Sequence, residues 1–322
     1  MTELEVSSPA HASRTEAASC ETCDLLPHAL QERFDDLVAH VNAFARDHYR
    51  EFDWRTTSDP YAIWISEVML QQTQTKRVEE RYREWLRRFP SVDELALASP
   101  ADCLSAWQGM GYNRRALALL KTARLISDAG GVFPHTEQEL RSLPGIGPAT
   151  AAGICAFAFN QHCVYIETNV RAVFLHELFA DQENLRDQDL APFVARACPA
   201  SAARTSRVPN TPRMWYYALL DYGNYLKKTL PNPSRRARAY RKQSPFEGSR
   251  RQKRAELVRL LLASDLADEA PDIACLAERL NACERAQNRP ECDLSYVKEL
   301  VDELAKEGFC RYEAGRVRIA SN

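Results

Sequence analysis

The apolar residues of this chain recur mainly at helical spacing. Between Leu30 and Tyr49 they fall at positions 34, 37, 38, 41 and 44, the one-sided stripe of an amphipathic helix. Similar stripes predict helices over 60–75, 76–89, 93–98, 99–107, 113–129, 136–142, 148–159 and 213–228. Strict alternation of apolar and polar residues is confined to the C-terminus. We therefore predict an all-α body.

The last part of the chain changes its pattern. Three helical stretches, 251–264, 271–280 and 293–307, precede a segment that alternates around Ala314-Gly315, the dipeptide type of a tight hairpin. Three helices followed by a β-hairpin predict a winged-helix-like module over 251–322. A helical module that docks another protein explains the same pattern.

Composition gives broad expectations about the whole molecule. Residues 1–27 are rich in Ser, Ala, Thr and Glu and are predicted to form a disordered arm, in which Cys20 and Cys23 make a lone, weak metal motif. Ten cysteines in 322 residues are too few for a disulfide scaffold, so we expect reduced thiols and a cytoplasmic protein. No stretch approaches the ~20 apolar residues that span a bilayer. We expect a monomer without a membrane segment.

The net charge of −2 hides an uneven distribution. Residues 227–254 hold eleven basic residues against one acid, Glu247, so this run carries +10 and the rest of the chain about −12. We interpret residues 227–250 as a basic linker that contacts DNA phosphates through Arg235, Arg236 and Arg238. The alternative is a linker whose charges are simply solvated.

The segment LPGIGPAT, residues 143–150, lies between two predicted helices. Its glycines allow the backbone to turn tightly and to come close to a binding partner. The helix that follows points its free N–H groups outward, as an anion site requires. A nucleotide-binding P-loop is excluded because the segment lacks the lysine of that motif. The pattern indicates a helix-hairpin-helix that holds a DNA phosphate; the alternative is an ordinary turn. The candidate DNA contacts here are Gly145, Ile146, Gly147, Ala149 and Thr150.

Two acids stand out as candidate chemistry. Glu67 lies in the apolar segment WISEVMLQQTQ, where burial would raise its pKa and let it donate a proton near neutral pH. Glu167 follows the predicted second helix of the hairpin. Two carboxyl groups on either side of a sugar are what cleavage of a glycosidic bond needs. Alternatively, Glu67 is a capping or salt-bridged acid on a helix face.

These segments, in this order, resemble the helix-hairpin-helix DNA glycosylases, and among them the adenine DNA glycosylase (MutY) family. The resemblance covers residues 28–226 and rests on DWR (53–55), PYAIWISEVMLQQTQT (60–75), WQGMGYNRRA (107–116), GGVFP (130–134), LPGIGPATAAGI (143–154), ETNV (167–170) and ALLDYG (218–223). It implies an HhH-GPD fold of two helical subdomains, with residues 62–165 forming the one that holds the hairpin. The target base is flipped into the cleft between them.

The resemblance also implies roles for single residues. It assigns catalysis to Glu67, Glu167 and Asn169, and base or lesion recognition to Trp54, Arg55, Gln71, Gln72 and Tyr112. Glu67 corresponds to the acid that protonates the purine ring, and Tyr112 to a tyrosine that inserts beside the opposite base. Gln71 and Gln72 correspond to glutamines that contact the target base and wedge into the duplex.

The chain departs from the family at three points of chemistry. Glu167 stands where the superfamily has Asp, so its carboxylate is displaced by about 1.5 Å. Ala149 replaces the Schiff-base Lys of bifunctional relatives, which predicts base removal without strand cleavage by that route. Residues 199–274 contain no cysteine, so we expect no iron–sulfur cluster, no other metal and no cofactor. The basic run would then replace the cluster loop on DNA.

The expected partner is double-stranded DNA that contains a lesion or mismatch, in the nucleoid if the cell is bacterial. The family's C-terminal domain for 8-oxoguanine is not recognisable in this sequence, which leaves the substrate open. Adenine opposite 8-oxoguanine or G is our first expectation. The alternatives are a modified or mispaired pyrimidine, such as 5-hydroxymethyluracil or T opposite G, and, in another class, a non-catalytic DNA-binding protein of the same fold.

Overall fold

A computed structural model describes residues 27–200 and 210–321, and these residues fold almost entirely into helices, as the sequence predicts. The helices are α1 (His28–His48), α2 (Pro60–Leu70), α3 (Thr75–Arg88), α4 (Val92–Leu97), α5 (Pro100–Ala106), α6 (Arg114–Asp128), α7 (Glu137–Arg141), α8 (Pro148–Phe157), α9 (Thr168–Glu177), α10 (Asp187–Ala197), α11 (Pro212–Thr229), α12 (Arg250–Leu266), α13 (Ile273–Ala286) and α14 (Leu294–Lys306). The strands are β1 (Cys310–Glu313) and β2 (Arg316–Ile319).

The first eleven helices form two packed groups. In one group α2 packs on α3 and α8, and α4 on α6, around the buried rings of Trp64, Trp85 and Trp107. In the other group α11 packs on α1 and α9, around Trp215 and Phe174. The chain therefore leaves the second group after α1, builds the first, and returns. This arrangement brings α2 and α9 to the same boundary, where α8 and α11 also meet.

A glycine sets the closest approach within the second group. A Cβ built on Gly223 of α11 would lie 2.7 Å from the carbonyl carbon of Asn169 and 2.8 Å from its Cβ. Only a residue without a side chain permits this crossing, because separations under 3 Å are not tolerated by packed carbon atoms. Gly223 thereby determines the position of the first turn of α9, which carries Asn169.

The C-terminal module contains α12, α13, α14 and a two-stranded antiparallel sheet, in agreement with the winged-helix-like prediction. The turn between the strands uses Ala314 at φ 49° and Gly315 at φ 77°, the positive angles of a tight hairpin. Cys310 pairs with Ile319, and both side chains are buried. Helix α12 also packs on α5, so the module is docked against the hairpin-containing group.

The observed elements differ from the predicted ones in two places. The helix predicted over 60–75 ends at Leu70, because Arg115 donates to the carbonyl oxygens of Val68 (2.8 Å) and Gln71 (2.6 Å). Helices α9 and α10 were not predicted. The buried residues of α9 are Val170, Ala172, Val173, Phe174 and Leu175, which surround the helix and leave no one-sided stripe.

The basic segment predicted as a linker is only partly one. Residues 227–229 are the end of α11, and Pro233–Arg236 forms a short 3₁₀ turn that packs on α9, where the Ser234 hydroxyl donates to the Thr168 carbonyl (3.0 Å). A bridge then pairs Ala237 with Leu185. Residues 241–248 are exposed chain. The predicted arm and its two cysteines lie outside the described residues.

The described helices differ in length and apolar character. None of them is both long and apolar enough to cross a lipid bilayer.

Candidate active site

Glu67 occupies the middle of α2, on the side that faces α8. Asp59 caps this helix through the backbone N–H groups of Tyr61 and Ala62, with Pro60 in the first turn, so the helix begins at a defined residue. The carboxyl group of Glu67 is inserted against Gly153 of α8, where an added Cβ would lie 2.9 Å from the Glu67 Cδ. The small residues of α8 thus make room for an acid between two helices.

Burial dominates the chemistry of this acid. Loss of water raises the pKa of the Glu67 carboxyl to about 8, and the nearby charge of Glu167 acts in the same direction. The Tyr165 hydroxyl donates to Glu67 Oε2 at 3.2 Å, which lowers that pKa but does not cancel the effect of burial. At neutral pH the carboxyl group is therefore largely protonated and can act as an acid.

Tyr165 is a site residue to which sequence reasoning gave no role. Its ring is buried against Phe157 and Tyr216, and burial raises the pKa of its hydroxyl, which stays a proton donor at physiological pH. The only sequence signal was its place two residues before Glu167. The contact with Glu67 joins residues 98 positions apart, so it required the folded structure.

Glu167 lies at the N-terminus of α9 as its capping residue. Its Oε1 accepts hydrogen bonds from the backbone N–H groups of Asn169 (2.5 Å) and Val170 (3.1 Å). Asp, Asn, Ser and Thr are the usual capping residues, yet the longer Glu folds back to do the same. The extra methylene is thereby used in the cap. Within residues 27–200 and 210–321, no hydrogen bond to Glu167 Oε2 is found.

Asn169 presents an unsatisfied group beside this carboxylate. Its Oδ1 is buried and has no hydrogen-bond partner among the described residues. Such an atom costs free energy unless a ligand or water satisfies it, so buried orphans are common at functional sites. The structure therefore brings Glu67, Glu167, Asn169 and Tyr165 to one boundary between the helical groups.

The glutamines predicted to contact bases lie in the turn after α2 rather than on the helix. Gln71 donates through Nε2 to the Thr150 hydroxyl at 3.0 Å, which ties this turn to the hairpin helix α8. Gln72 has a φ of 56°, an uncommon angle for a residue with a side chain, and it is exposed. Arg115 supports the turn from below, and burial lowers the pKa of its guanidinium to about 10.

The predicted hairpin is present between α7 and α8. Gly145 has a φ of 77°, and a Cβ there would lie 2.7 Å from that of Ala118 in α6, so glycine is needed for both angle and space. Ile146 is buried, whereas Gly147 precedes an exposed first turn of α8 at Ala149. The Thr150 side chain is buried, so a phosphate contact from this residue would come from its backbone N–H.

Trp54 and Arg55, predicted to recognise a base, face the protein interior instead. Both are buried, and Arg55 donates through two nitrogens to the buried Asp221 carboxylate at 2.7 and 2.9 Å. Its guanidinium also stacks over the Tyr217 ring at 4.5 Å. Their observed role is to join the segment before α2 to α11. Base recognition by either residue is not supported by these contacts.

The part of the chain that holds most of these site residues matches a known family model. Residues 65–192, from α2 to α10, match the model described as "HhH-GPD superfamily base excision DNA repair protein". Residues 65–192 therefore resemble an HhH-GPD domain. The match includes Glu67, the hairpin and Glu167, and it stops before α11, which completes the second helical group.

Curated relatives of the HhH-GPD domain share one description. The chain is 37% identical over 155 residues to the adenine DNA glycosylase of Mycobacterium tuberculosis, covering 46% of this chain and 51% of that protein. It is 37% identical over 153 residues to the adenine DNA glycosylase of Homo sapiens (42% and 28%). The corresponding Buchnera aphidicola protein is 39% identical over 123 residues (38% and 35%). The chain thus matches about half of these relatives' length or less.

Among solved structures, the chain is similar to a thermostable thymine-DNA glycosylase. The superposition has a TM-score of 0.52 at 22% sequence identity and covers 61% of this chain and 88% of that one. At this identity the likeness concerns the fold alone. It supports the two-group helical architecture around the HhH-GPD domain.

The basic residues that follow the HhH-GPD domain differ in their availability. Arg236, predicted to bind phosphate, instead donates to the carbonyl oxygens of Leu175, in the last turn of α9, and of Ala180, three residues after that helix, both at 2.6 Å. Arg250, Lys253 and Arg254 pair with glutamates. By contrast, the Arg235 and Arg238 side chains are exposed.

In the part of the chain that the structure describes, no group of three or more His, Cys, Asp and Glu side chains converges to hold an ion. The Cys310 thiol is buried in β1, and the Cys283 thiol donates to Glu256 at 3.1 Å. The thiols of the described residues therefore do not converge into the four-cysteine shell of an iron–sulfur cluster.

Proposed function

We propose that this protein is a monofunctional DNA glycosylase that removes adenine opposite 8-oxoguanine or guanine. The observation that carries the proposal is the Glu67 carboxyl, protonated at neutral pH by burial, near the Glu167 carboxylate in an HhH-GPD domain. The three named relatives, described as adenine DNA glycosylases, support the choice of adenine. The domain is expected to bind double-stranded DNA with the target base flipped out.

In this mechanism Glu67 donates its proton to a ring nitrogen of the leaving base. Protonation makes the attached base cationic, so the C1′–N9 bond breaks with its electron pair going to the base, which leaves as a neutral purine rather than as an anion. Tyr165 holds Glu67 Oε2, so the other carboxyl oxygen is directed to the base. A pKa of about 8 keeps the acid protonated under the conditions in which it works.

Glu167 and Asn169 act on the sugar that remains. The negative charge of Glu167 stabilises the oxocarbenium ion, while its hydrogen bonds to the start of α9 keep the carboxylate in place. Its Oε2 and the unsatisfied Asn169 Oδ1 are two acceptors that can orient the attacking water. The water adds to C1′ and loses a proton to Glu167, which leaves an abasic site.

The test is a panel of duplexes, each with a single candidate base pair. The pairs are A opposite 8-oxoguanine, A opposite G, T opposite G and 5-hydroxymethyluracil opposite G, and the products are treated with alkali to cut abasic strands. We expect alkali-dependent cutting at adenine. Cutting only at a pyrimidine would reject adenine as the substrate and support a modified or mispaired pyrimidine instead. The feature that favours this alternative is the longer side chain of Glu167, which changes the shape of the pocket.

The same panel separates an enzyme from a non-catalytic DNA-binding protein. Glu167→Gln keeps the size of the side chain and removes its charge. A glycosylase should lose excision and still bind the duplex, whereas a binding protein should show no excision in either form. The absence of alkali-dependent cutting with every duplex would reject the enzymatic proposal.

We also propose that the enzyme has no lyase step through a Schiff base. Ala149, in the exposed first turn of α8, stands where that step would need a lysine amine. Incubation with substrate duplex and borohydride should leave protein and DNA separate on a denaturing gel. A covalent adduct would contradict this proposal, and Ala149→Lys provides the positive comparison.

DNA binding without an iron–sulfur cluster is the last part of the proposal. Arg235 and Arg238 are exposed and lie in and just after the 3₁₀ turn that packs on α9. At this position they can contact DNA phosphates. Changing both to Ala should reduce the salt slope of binding by about one unit per lost contact. Arg236→Ala is the matched control, because its guanidinium is bonded inside the protein. Visible absorption of an iron–sulfur chromophore would contradict the proposal.

The monomeric state of the protein and its cytoplasmic location stay predictions from the sequence.

A further inference from the structure

Lys227 is a basic residue in the last turn of α11. It lies four residues after Gly223, the point at which α11 crosses the first turn of α9 at Asn169, so both residues lie on the same side of α11. Lys227 is one turn further along, about 6 Å at ~1.5 Å per residue. The 3₁₀ turn after α11 packs on this same end of α9, since the Ser234 hydroxyl donates to the Thr168 carbonyl. Lys227 therefore lies in a corner formed by the end of α11, the 3₁₀ turn and the start of α9.

The ammonium group of Lys227 belongs to a half-buried side chain. Burial lowers the pKa of this ammonium, the nearby charge of Glu167 opposes that effect, and the charge of Arg50 adds to it. Arg50 is itself neutralised, because its backbone N–H and its guanidinium donate to the Asp221 carboxylate at 3.0 and 2.5 Å. Among the residues that the structure describes, Lys227 has no hydrogen bond or ion pair of its own. The negative charge that acts on Lys227 is therefore that of Glu167.

A half-buried ammonium without a bonded partner costs free energy. Its three N–H donors lose water and gain no acceptor in exchange. The neighbouring Lys228 carries the same charge at the same end of α11 and is exposed, so it avoids this cost. Charged groups in such unfavourable settings are concentrated at functional sites. The position of Lys227 beside the start of α9 thus calls for a functional explanation.

The candidate active site requires opposite states of its two carboxyl groups. Glu67 must hold a proton, whereas Glu167 must stay an anion to stabilise the oxocarbenium ion. The hydrogen bonds from the backbone N–H groups of Asn169 and Val170 favour this anion. Bound DNA acts against it, because each phosphate near the site repels a second negative charge and favours its protonation. The site therefore needs a positive charge that acts on Glu167 without acting on Glu67.

We infer that Lys227 is a positioning residue that keeps Glu167 an anion while DNA is bound. The inference rests on the proposed glycosylase function. The side chains that act on the Glu67 carboxyl are those of Tyr165 and Glu167, not that of Lys227, so its charge favours one carboxyl group selectively. Lys227 acts through Glu167 and need not touch the base. The first residue of the basic run thereby has a role inside the protein rather than on DNA phosphates.

The first test separates the rate of excision from the affinity for DNA. Lys227→Met removes the charge from a side chain of similar length. Single-turnover excision of adenine opposite 8-oxoguanine, at saturating enzyme, should slow by about 10-fold, which corresponds to ~1.4 kcal/mol of charge stabilisation. Affinity is measured by fluorescence polarisation on a duplex that carries a tetrahydrofuran abasic analogue. It should stay within about 2-fold of that of the control variant Lys228→Met.

Two matched variants show whether charge is the cause. Lys228→Met removes the same charge from an exposed neighbour, so it should keep the single-turnover rate. Lys227→Arg retains the positive charge in a larger side chain and should restore most of the rate. A side chain that only packs against α9 would give the opposite order, because Met fits the space of Lys better than Arg does.

The second test needs neither DNA nor activity. Lys227→Met is compared in the wild-type protein and in Glu167→Gln by thermal unfolding at neutral pH. Beside an anion the ammonium is partly compensated, whereas beside a neutral amide it is an unpaired charge in a half-buried place. Lys227→Met should therefore lower the unfolding midpoint more in the wild type than in Glu167→Gln. The two substitutions should be non-additive, as interacting groups are.

Three results would overturn the inference. Additive midpoints would show that the two charges do not interact. Weaker binding with an unchanged rate, and a salt slope reduced by about one unit, would show a phosphate contact of Lys227 instead. Failure of Lys227→Arg to restore the rate would show a role in packing. Non-additive midpoints without excision on any duplex would reject the glycosylase and keep the charge pair of Lys227 and Glu167.

Discussion

Removal of the Tyr165 hydroxyl should shift the pH dependence of excision in a direction that the site determines. Tyr165→Phe deletes the donor to Glu67 Oε2 and leaves the buried ring, which packs on Phe157. This hydrogen bond stabilises the ionised carboxyl group and so lowers the pKa of Glu67 against the larger effect of burial. Without it, the pKa of Glu67 should rise above its present value of about 8.

The size of the shift follows from the hydrogen bond. A bond to a charged group contributes about 1.5 kcal/mol, and one pKa unit corresponds to about 1.4 kcal/mol, so the shift should be close to one unit. Only protonated Glu67 acts as the acid, and activity falls as the pH rises through its pKa. The alkaline limb of the profile should therefore move upward by about one unit.

The assay is single-turnover excision across this pH range, with enzyme in excess over substrate. Tyr217→Phe is the matched control, since its hydroxyl donates to the Trp54 carbonyl at 3.3 Å and not to Glu67. The control should keep the wild-type limb even if its rate falls. A limb that stays in place in Tyr165→Phe, or moves to lower pH, would refute the assignment of Glu67 as an acid held by Tyr165.

Three further predictions concern stability and packing. Glu67→Gln should be more stable than the wild type at about pH 9, and this difference in stability should narrow toward about pH 5. The reason is that the wild type loses stability as the pH rises from the ordinary carboxyl pKa of 4.5 through the folded-state pKa of about 8. Thermal unfolding at both pH values checks this, and a difference that does not change with pH would argue against it. Asp221→Asn should lower the free energy of unfolding by about 3–5 kcal/mol, since it leaves the buried Arg55 without its anion; denaturant titration measures it, and a loss below ~1 kcal/mol would contradict the buried pair. Gly223→Ala should slow excision while the protein remains helical by circular dichroism, because the new Cβ displaces Asn169; an unchanged rate would show that α9 adjusts freely.

Local patterns predicted the elements that local chemistry determines. The hairpin glycine Gly145 and the Ala314-Gly315 turn have the positive φ angles that their sequence contexts suggest. The apolar setting of Glu67 indicated a raised pKa, and the structure gives one. In each case the decisive information lies within a few neighbouring residues.

The failures share a different cause, namely partners far away in the sequence. Arg55 is separated by 166 residues from Asp221, which turns it inward, and Arg236 is bonded to the end of α9, a helix that the pattern did not reveal. The near-neutral net charge of the chain has the same kind of cause, because Arg250 and Arg254 of the basic run form ion pairs with Glu303 of α14, about 50 residues away. A basic run in the sequence was thus not a uniformly basic surface.

The central claim is that Glu67 protonates adenine as it leaves the sugar. The most direct test is the release of free adenine, measured by mass spectrometry, from a duplex with a single adenine opposite 8-oxoguanine. The wild-type protein should release one adenine per duplex and leave an alkali-sensitive strand, whereas Glu67→Gln should bind the same duplex and release none. Equal release by Glu67→Gln, or no release by the wild type, would contradict the claim.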